Sequence, residues 1–216
     1  MKIIVDMMGG DNAPLAVLEG AAAAVKEYGV QLIGVGDEAL VRKTAADNNI
    51  SLDGIELVNC TEVIEMCDEP TAAIRGKKDS SMVVGLRMLA AGEGDAFVSA
   101  GSTGALLAGG MLRIGRIRGV ERPALAPVIP GRKKPFLLID CGATAECTPE
   151  FLLQFAFMGS YYAKKMLGVS NPRVALLNIG AEDSKGTQLQ KDAYALLKKA
   201  GDAGYVNFIG NIEARG

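Results

Sequence analysis

Unbroken runs of Val, Ile and Leu recur along this chain, at 2–5, 30–35, 55–58, 95–98, 124–129, 136–139, 173–179 and 205–209. They lack the alternation of a strand with one wet face, so each is expected to be covered on both sides. Between most of them lie stretches with helical signals. Residues 14–28 open on Pro14, are rich in alanine and stop before Gly29; 37–48 open on a capping Asp37. Residues 79–91 follow Asp79-Ser80-Ser81 and stop before Gly92, and 102–114, 148–167 and 187–200 complete the set. Thr148-Pro149-Glu150 combines a hydroxyl cap, a proline in the first turn and an acid at the positive end of the helix dipole. This alternation predicts an α/β fold with a mixed, mostly parallel sheet and helices on both faces. The mixed element is 124–129 followed by 136–139. The joining Pro130-Gly131-Arg132-Lys133-Lys134-Pro135 is too short for a crossover helix, so an antiparallel hairpin is expected. Without an internal repeat or a long linker, 1–216 is expected to be a single α/β domain.

Absent residues narrow the chemistry. The chain has no histidine, which excludes Ser-His-Asp and Cys-His catalysis and any His-ligated metal. Its cysteines, Cys60, Cys67, Cys141 and Cys147, form no C-x-x-C, so a thiolate zinc site is not expected. Four unclustered thiols read as reduced, in a cytoplasmic protein. The opening Met1-Lys2-Ile3-Ile4-Val5-Asp6 turns acidic too early for a signal peptide, and no apolar run reaches membrane-spanning length. A net charge of −2, 5% aromatic residues and no tryptophan argue against nucleic acid as a partner. The chain stops a few residues after its last strand run, which reads as a truncation.

Ligands of open α/β sheets bind beyond the carboxyl ends of strands. Four glycine-rich junctions occupy such places: 6–12, 99–104, 140–144 and 178–187. In the second, Ser99-Ala100-Gly101-Ser102-Thr103-Gly104 leads straight into a helix. Free amides and hydroxyls at a helix N-terminus suit phosphate, and Gly101, Ser102, Thr103 and Gly104 are the candidate ligands. Neither a Walker loop nor G-x-G-x-x-G is present. The competing reading is that glycine only turns the chain and Ser102 only caps the helix. In the fourth junction Lys185 stands between Ser184 and Gly186. It is a candidate phosphate clamp or, if desolvated, an amine nucleophile; the commoner alternative is a solvated loop lysine. Asp6, Asp11 and Asp140 sit at strand ends, where carboxylates more often hold loops than bind Mg²⁺, and the loop-holding role is expected.

Residues 113–134 carry seven basic side chains, Arg113, Arg116, Arg118, Arg122, Arg132, Lys133 and Lys134, against one acid, Glu121. Such a segment suits an acidic partner; a solvated charged loop is the alternative. The stretch 149–167 is apolar nearly all round and is expected to be buried, in the core or in a subunit interface. With 105–111 it also offers a slot for a fatty chain, though core or dimer contact ranks first.

These stretches together resemble the PlsX family, the phosphate acyltransferases of bacterial phospholipid synthesis. The resemblance rests on DMMGGDNAP at 6–14, KKDSSM at 77–82, SAGSTGA at 99–105 and LLIDCGATAECTPEFLLQFAFMGSYYA at 137–163. RVALLNIGAEDSKGT at 173–187 and NFIGNIEARG at 207–216 extend it over nearly the whole chain. The family usually has Ala where Met7 stands, Asn at Ser102 and Thr144, and Asp at Gly216. The resemblance implies a longer family chain of which this is the N-terminal part. It implies a fold similar to the isocitrate and isopropylmalate dehydrogenases, usually as a homodimer. It implies that acyl-[acyl carrier protein] and inorganic phosphate give acyl phosphate and free carrier, without a cofactor. On that basis Lys185 and Ser102 are the expected catalytic residues, Gly101 to Gly104 hold phosphate, and Asp6, Asp11, Asp140 and Thr144 support the loops. The seven basic residues would dock the acyl carrier protein, and the full-length family would touch the membrane peripherally. A coenzyme A-dependent short-chain transferase and a non-catalytic membrane-associated scaffold are the competing expectations; a dehydrogenase on the same fold is a weaker one, since its dinucleotide and metal signatures are missing.

Overall fold

A computed structural model of the chain describes residues 1–214 and resolves two compact units, Met1–Arg116 and Ile117–Gly216. In the first unit, β1 (Lys2–Asp6), β2 (Gln31–Gly36), β3 (Ile55–Asn59) and β4 (Ala96–Val98) form a parallel sheet in the order β3-β2-β1-β4. Its helices are α1 (Leu15–Tyr28), α2 (Glu38–Asp47), α3 (Pro70–Gly76), α4 (Ser81–Ala90) and α5 (Thr103–Gly109), the last continuing into a π-helical turn, Gly110–Ile114.

The period-two geometry of a strand divides the apolar side chains between two faces. Val5, Leu32 and Ile55 pack with Leu18 and Ala21 of α1 and Val41 and Ala45 of α2. Their strand neighbours Ile4, Ile33 and Val35 pack instead with Val84 of α4. A third cluster joins Ala73 and Ile74 of α3, Met82, Val83 and Leu86 of α4, and Ala105 of α5. Burying one such side chain contributes roughly 1.5–3 kcal/mol, so these clusters are what hold helices to both faces.

Local signals start the helices. The Asp37 carboxylate accepts the Leu40 amide at 2.9 Å, and the Ser80 hydroxyl accepts that of Val83 at 3.4 Å. The short α3 starts at Glu69, whose carboxylate takes the amides of Thr71 and Ala72, with Pro70 at the first helical position. Just after α3, Lys77 reaches back: its Nζ donates to the Asp68 carboxylate at 2.5 Å and to the Val63 carbonyl at 2.8 Å, pinning the loop between β3 and α3.

Cys60 directly follows β3 and is buried in the sheet–α4 cluster, 2% exposed. Burial, then the neighbouring charge of Asp79, pushes its thiol up to about 11. Cys67 is exposed. Since the thiolate is the reactive species, an alkylating reagent at pH 8 is expected to label Cys67 and to spare Cys60 until the unit unfolds. Peptide mass spectrometry reads this directly, and early labelling of Cys60 would contradict the packing.

The second unit holds β5 (Val128–Ile129), β6 (Phe136–Leu137), α6 (Pro149–Met166), β7 (Arg173–Leu177), α7 (Gln188–Asp202) and β8 (Asn207–Ile212). β5 and β6 make the antiparallel hairpin expected from the short connection, and β7 and β8 pair in parallel. The described strands fall into three hydrogen-bonded groups, the four-stranded parallel sheet, the antiparallel β5–β6 pair and the parallel β7–β8 pair, so pairing is mixed and mostly parallel. Ala156 of α6, Leu176 of β7 and Ala193 and Leu197 of α7 form the unit's core, with Phe208 of β8 packed on it.

α6 begins as its sequence predicts, with the Thr148 hydroxyl accepting the Phe151 amide at 3.3 Å and Pro149 next. Its burial differs from expectation. Only Phe155, Ala156, Ser160 and Ala163 are buried, while Phe157, Tyr161, Tyr162 and Met166 are exposed. A single packed face suffices to hold a helix, and the apolar residues beyond it are not covered within this unit. Among the described residues no helix is long and apolar enough to cross a membrane.

Candidate functional site

The order β3-β2-β1-β4 reverses direction at β1, since the chain moves from β1 to β2 on one side and β4 joins on the other. The loops leaving β1 and β4 therefore flank a topological switch point, the usual ligand crevice of such sheets. They are tied together there. Asp6, 2% exposed, accepts the Ser99 hydroxyl at 2.7 Å through Oδ2 and the Met8 amide at 3.1 Å through Oδ1. The Ser99 Oγ in turn accepts the Gly101 amide at 3.1 Å.

Gly9 makes this closeness possible. A Cβ on it would lie 2.8 Å from Asp6 Oδ2, 2.8 Å from the Gly101 nitrogen and 2.9 Å from Ser99 Oγ. Gly10 sits beside Ala100 with φ +100°, a conformation that favours glycine. Two loops far apart in sequence thus meet backbone to backbone.

Ser102 is buried, and its hydroxyl accepts the Ala105 amide at 3.3 Å as the N-cap of α5. Thr103 and Gly104 are exposed at the first turn, where amides have no intrahelical partner. The capping contact is thus present for Ser102, and the amides of 102–104 are what this turn offers an anion. Asp11 is exposed and its carboxylate holds no hydrogen bond among the described residues.

In the second unit Asp140 gathers three amides. Oδ1 accepts those of Leu125 at 2.8 Å and Ala143 at 3.2 Å, and Oδ2 accepts that of Thr144 at 2.8 Å. Thr144 enters this loop through its amide. Cys147 lies nearby, its thiol pushed up by burial and by the charge of Asp140.

Lys185 belongs to the loop between β7 and α7. Its amide donates to the Glu182 carbonyl at 3.2 Å, and its own carbonyl accepts Asn178 Nδ2 at 3.1 Å. Asn178 Oδ1 accepts the Ile179 amide at 2.8 Å. The aliphatic stem of Lys185 lies over buried Gly180, where a Cβ would come 2.8 Å from Lys185 Cγ. The residue is exposed. A cleft of about 440 Å³ lined by Leu177, Asn178, Ile179, Gly186, Thr187 and Gln190 opens beside the loop.

All seven basic candidates are exposed. Arg113 also donates to the Ile74 carbonyl at 3.1 Å, and Arg122 lies 5.9 Å from the centre of the Phe151 ring. Arg132, Lys133 and Lys134 occupy the tip of the β5–β6 hairpin. Among the described residues, no three Cys, Asp or Glu side chains are grouped as a metal site would need.

Sequence reasoning passed over Gly9, Ser99 and Asn178 as individuals, although each stood within a junction it had marked. The available signal was a serine ending one strand and a carboxylate ending another. That they meet depends on β1 and β4 being neighbours.

The profile of a family described as fatty acid synthesis protein matches residues 1–216. A phosphate acyltransferase of Alkaliphilus oremlandii is 50% identical over 215 residues, covering 100% of this chain and 63% of its own length. A phosphate acyltransferase of Clostridioides difficile is 50% identical over 216 residues, covering 100% and 62%. The chain thus spans less than two thirds of these curated relatives. Among solved structures, the EutD phosphotransacetylase of Staphylococcus aureus superposes with a TM-score of 0.72 at 22% identity, over 99% of this chain and 68% of that one. A phosphotransacetylase of Streptococcus pyogenes gives a TM-score of 0.72 at 18% identity, with the same coverage. At these identities the likeness shows the fold alone.

Proposed function

This chain belongs to the fatty acid synthesis protein family, and from that membership we propose that it is part of a phosphate acyltransferase, which moves an acyl group from acyl carrier protein to inorganic phosphate. The observation that carries the reading is 50% identity to curated phosphate acyltransferases along the whole of this chain. The locked loops at the β1/β4 switch point support it physically.

In the reaction a phosphate oxygen attacks the thioester carbonyl. The C–O bond forms, the C–S bond breaks, and the carrier thiolate leaves and takes a proton from solvent. Phosphate is an anion at neutral pH, so no histidine is needed to activate it. What the protein supplies is orientation and charge. Amides of Ser102, Thr103 and Gly104 hold phosphate oxygens, and Gly101 is fixed behind them by Ser99. Ser102 acts by capping α5 and presenting its amide. Asp6 and Asp140 hold their loops, with Thr144 in the second of them. The Lys185 ammonium meets an anionic oxygen as a point charge. Exposed Arg118, Arg122, Arg132, Lys133 and Lys134 of the second unit dock the acidic carrier protein. A homodimer belongs to the same reading, and exposed Phe157 and Tyr161, one helical turn apart on α6, support it.

The intact protein is expected to release carrier thiol and acyl phosphate in equal amounts from long-chain acyl-carrier and phosphate, and to use acetyl-coenzyme A far less well. Lys185→Ala, which removes a charged contact worth about 1.5–3 kcal/mol, is expected to lower kcat/KM for phosphate roughly 10- to 100-fold. Undiminished turnover in that variant would remove Lys185 from the mechanism, and absence of acyl phosphate from the intact protein would end the reading.

A further inference from the structure

β8 contains a register shift that works against hydrophobic burial. Val174 of β7 faces Phe208 and Leu176 faces Asn211, so two steps on β7 match three on β8. The extra residue lies at Ile209-Gly210, where Gly210 takes φ +95°. A one-residue bulge reverses the facing of everything that follows it. Without it, Ile212 would share the face of Phe208 and Asn211 would point away. With it, Asn211 is turned inward, 7% exposed, while Ile212 remains 44% exposed. The strand thus buries an amide in place of an isoleucine.

The buried amide has a definite task. Asn211 Nδ2 donates to the Glu182 carbonyl at 2.8 Å, the same carbonyl that accepts the Lys185 amide. This contact fixes the orientation of the amide group, since the flipped form would set oxygen against oxygen. The opposite atom, Asn211 Oδ1, is buried and has no hydrogen-bond partner among the described residues. An unpaired buried acceptor is a cost that an apolar residue here would avoid. A residue kept only for packing would not carry it.

We propose that Asn211 is a positioning residue for Lys185: the Gly210 bulge turns it inward so that its Nδ2 anchors the Glu182 carbonyl and fixes the turn that presents the lysine. The role rests on the reading of Lys185 as the group that meets phosphate. Asn178 holds the loop's other end through the Lys185 carbonyl. The loop is therefore pinned on both sides of a side chain that is itself exposed.

Two measurements on the intact protein separate this inference from its premise. Amine-reactive labelling of Lys185, followed by mass spectrometry across a titration with inorganic phosphate, reads whether the anion meets the lysine. Amide hydrogen exchange over 182–186 reads whether Asn211 holds the turn. In the unaltered protein phosphate is expected to protect Lys185. In Asn211→Leu and Asn211→Asp, neither of which can donate at neutral pH, the half-protecting phosphate concentration is expected to rise about tenfold, with exchange at the Lys185 amide faster by a similar factor. Asn211→Gln, which keeps the donor, is expected to recover part of both effects. A merely structural residue would lower the melting temperature without moving the protection midpoint. Unchanged midpoint and exchange in a folded Asn211→Leu or Asn211→Asp would overturn the positioning role while leaving Lys185 in place. Absence of phosphate protection in the unaltered protein would overturn the premise and the functional role together, whatever the exchange shows.

Discussion

An alanine at Gly9 is expected to slow acyl phosphate formation by roughly 100-fold, the scale on which a misplacement of about an ångström acts on catalysis. The added methyl would stand 2.8 Å from Asp6 Oδ2 and from the Gly101 nitrogen, and neither is the free end of a flexible side chain. Asp6 is held by Ser99 and Met8, and Gly101 is backbone. The two loops must separate, and the amides of 102–104 move with them. Overpacking of this kind costs about 1–3 kcal/mol of stability. The control is Gly20→Ala in α1, where nothing lies within 4 Å of the new Cβ. That change is expected to leave the rate untouched and to add about 0.5–1 kcal/mol of helix stability. Steady-state rates with urea unfolding distinguish the two glycines. Near-normal turnover in a Gly9→Ala protein would show that the interlocked loops do not set the phosphate geometry.

That prediction was out of reach from the sequence, and the reason is physical. Asp6 and Ser99 stand 93 positions apart and meet only because β4 lies beside β1. Strand order is decided by how helices cover the two faces, which short apolar runs do not encode individually. The runs themselves, and caps such as Asp37, Ser80 and Thr148, were legible because their causes are local. α3 was missed since its seven residues are too few to show a helical period, although Glu69-Pro70 carried the start signal. The strand run 205–209 stopped short because the bulge at Ile209-Gly210 breaks the apolar run inside β8. The same blindness hid the inward facing of Asn211. Lys185 was legible as a residue type at a strand end; the contacts through Asn178 and Asn211 that pin its loop were not.

Asp140→Ala is expected to destabilise the second unit by about 3 kcal/mol, because one carboxylate there satisfies three amides and its loss leaves all three to find other partners. The donors come from both sides of the β5–β6 hairpin, Leu125 before it and Ala143 and Thr144 after it. Few backbone bonds can substitute, as β5 and β6 pair over only two residues each. Asp140→Asn should cost about half as much, since an oxygen in the Oδ1 place keeps Leu125 and Ala143 while the new amide faces the Thr144 donor. Cys147 offers a second reading of the same site. Burial first, and the charge of Asp140 second, hold its thiol above the ordinary range. Removing the charge in Asp140→Asn lowers that barrier to ionisation without opening the loop, so alkylation of Cys147 at pH 8 should quicken modestly. In Asp140→Ala both causes weaken, and the acceleration should be larger. A Cys147 rate that tracks stability alone, identical in Asn and Ala variants matched by urea, would mean that Asp140 acts there only as scaffold and that its charge does not reach the thiol.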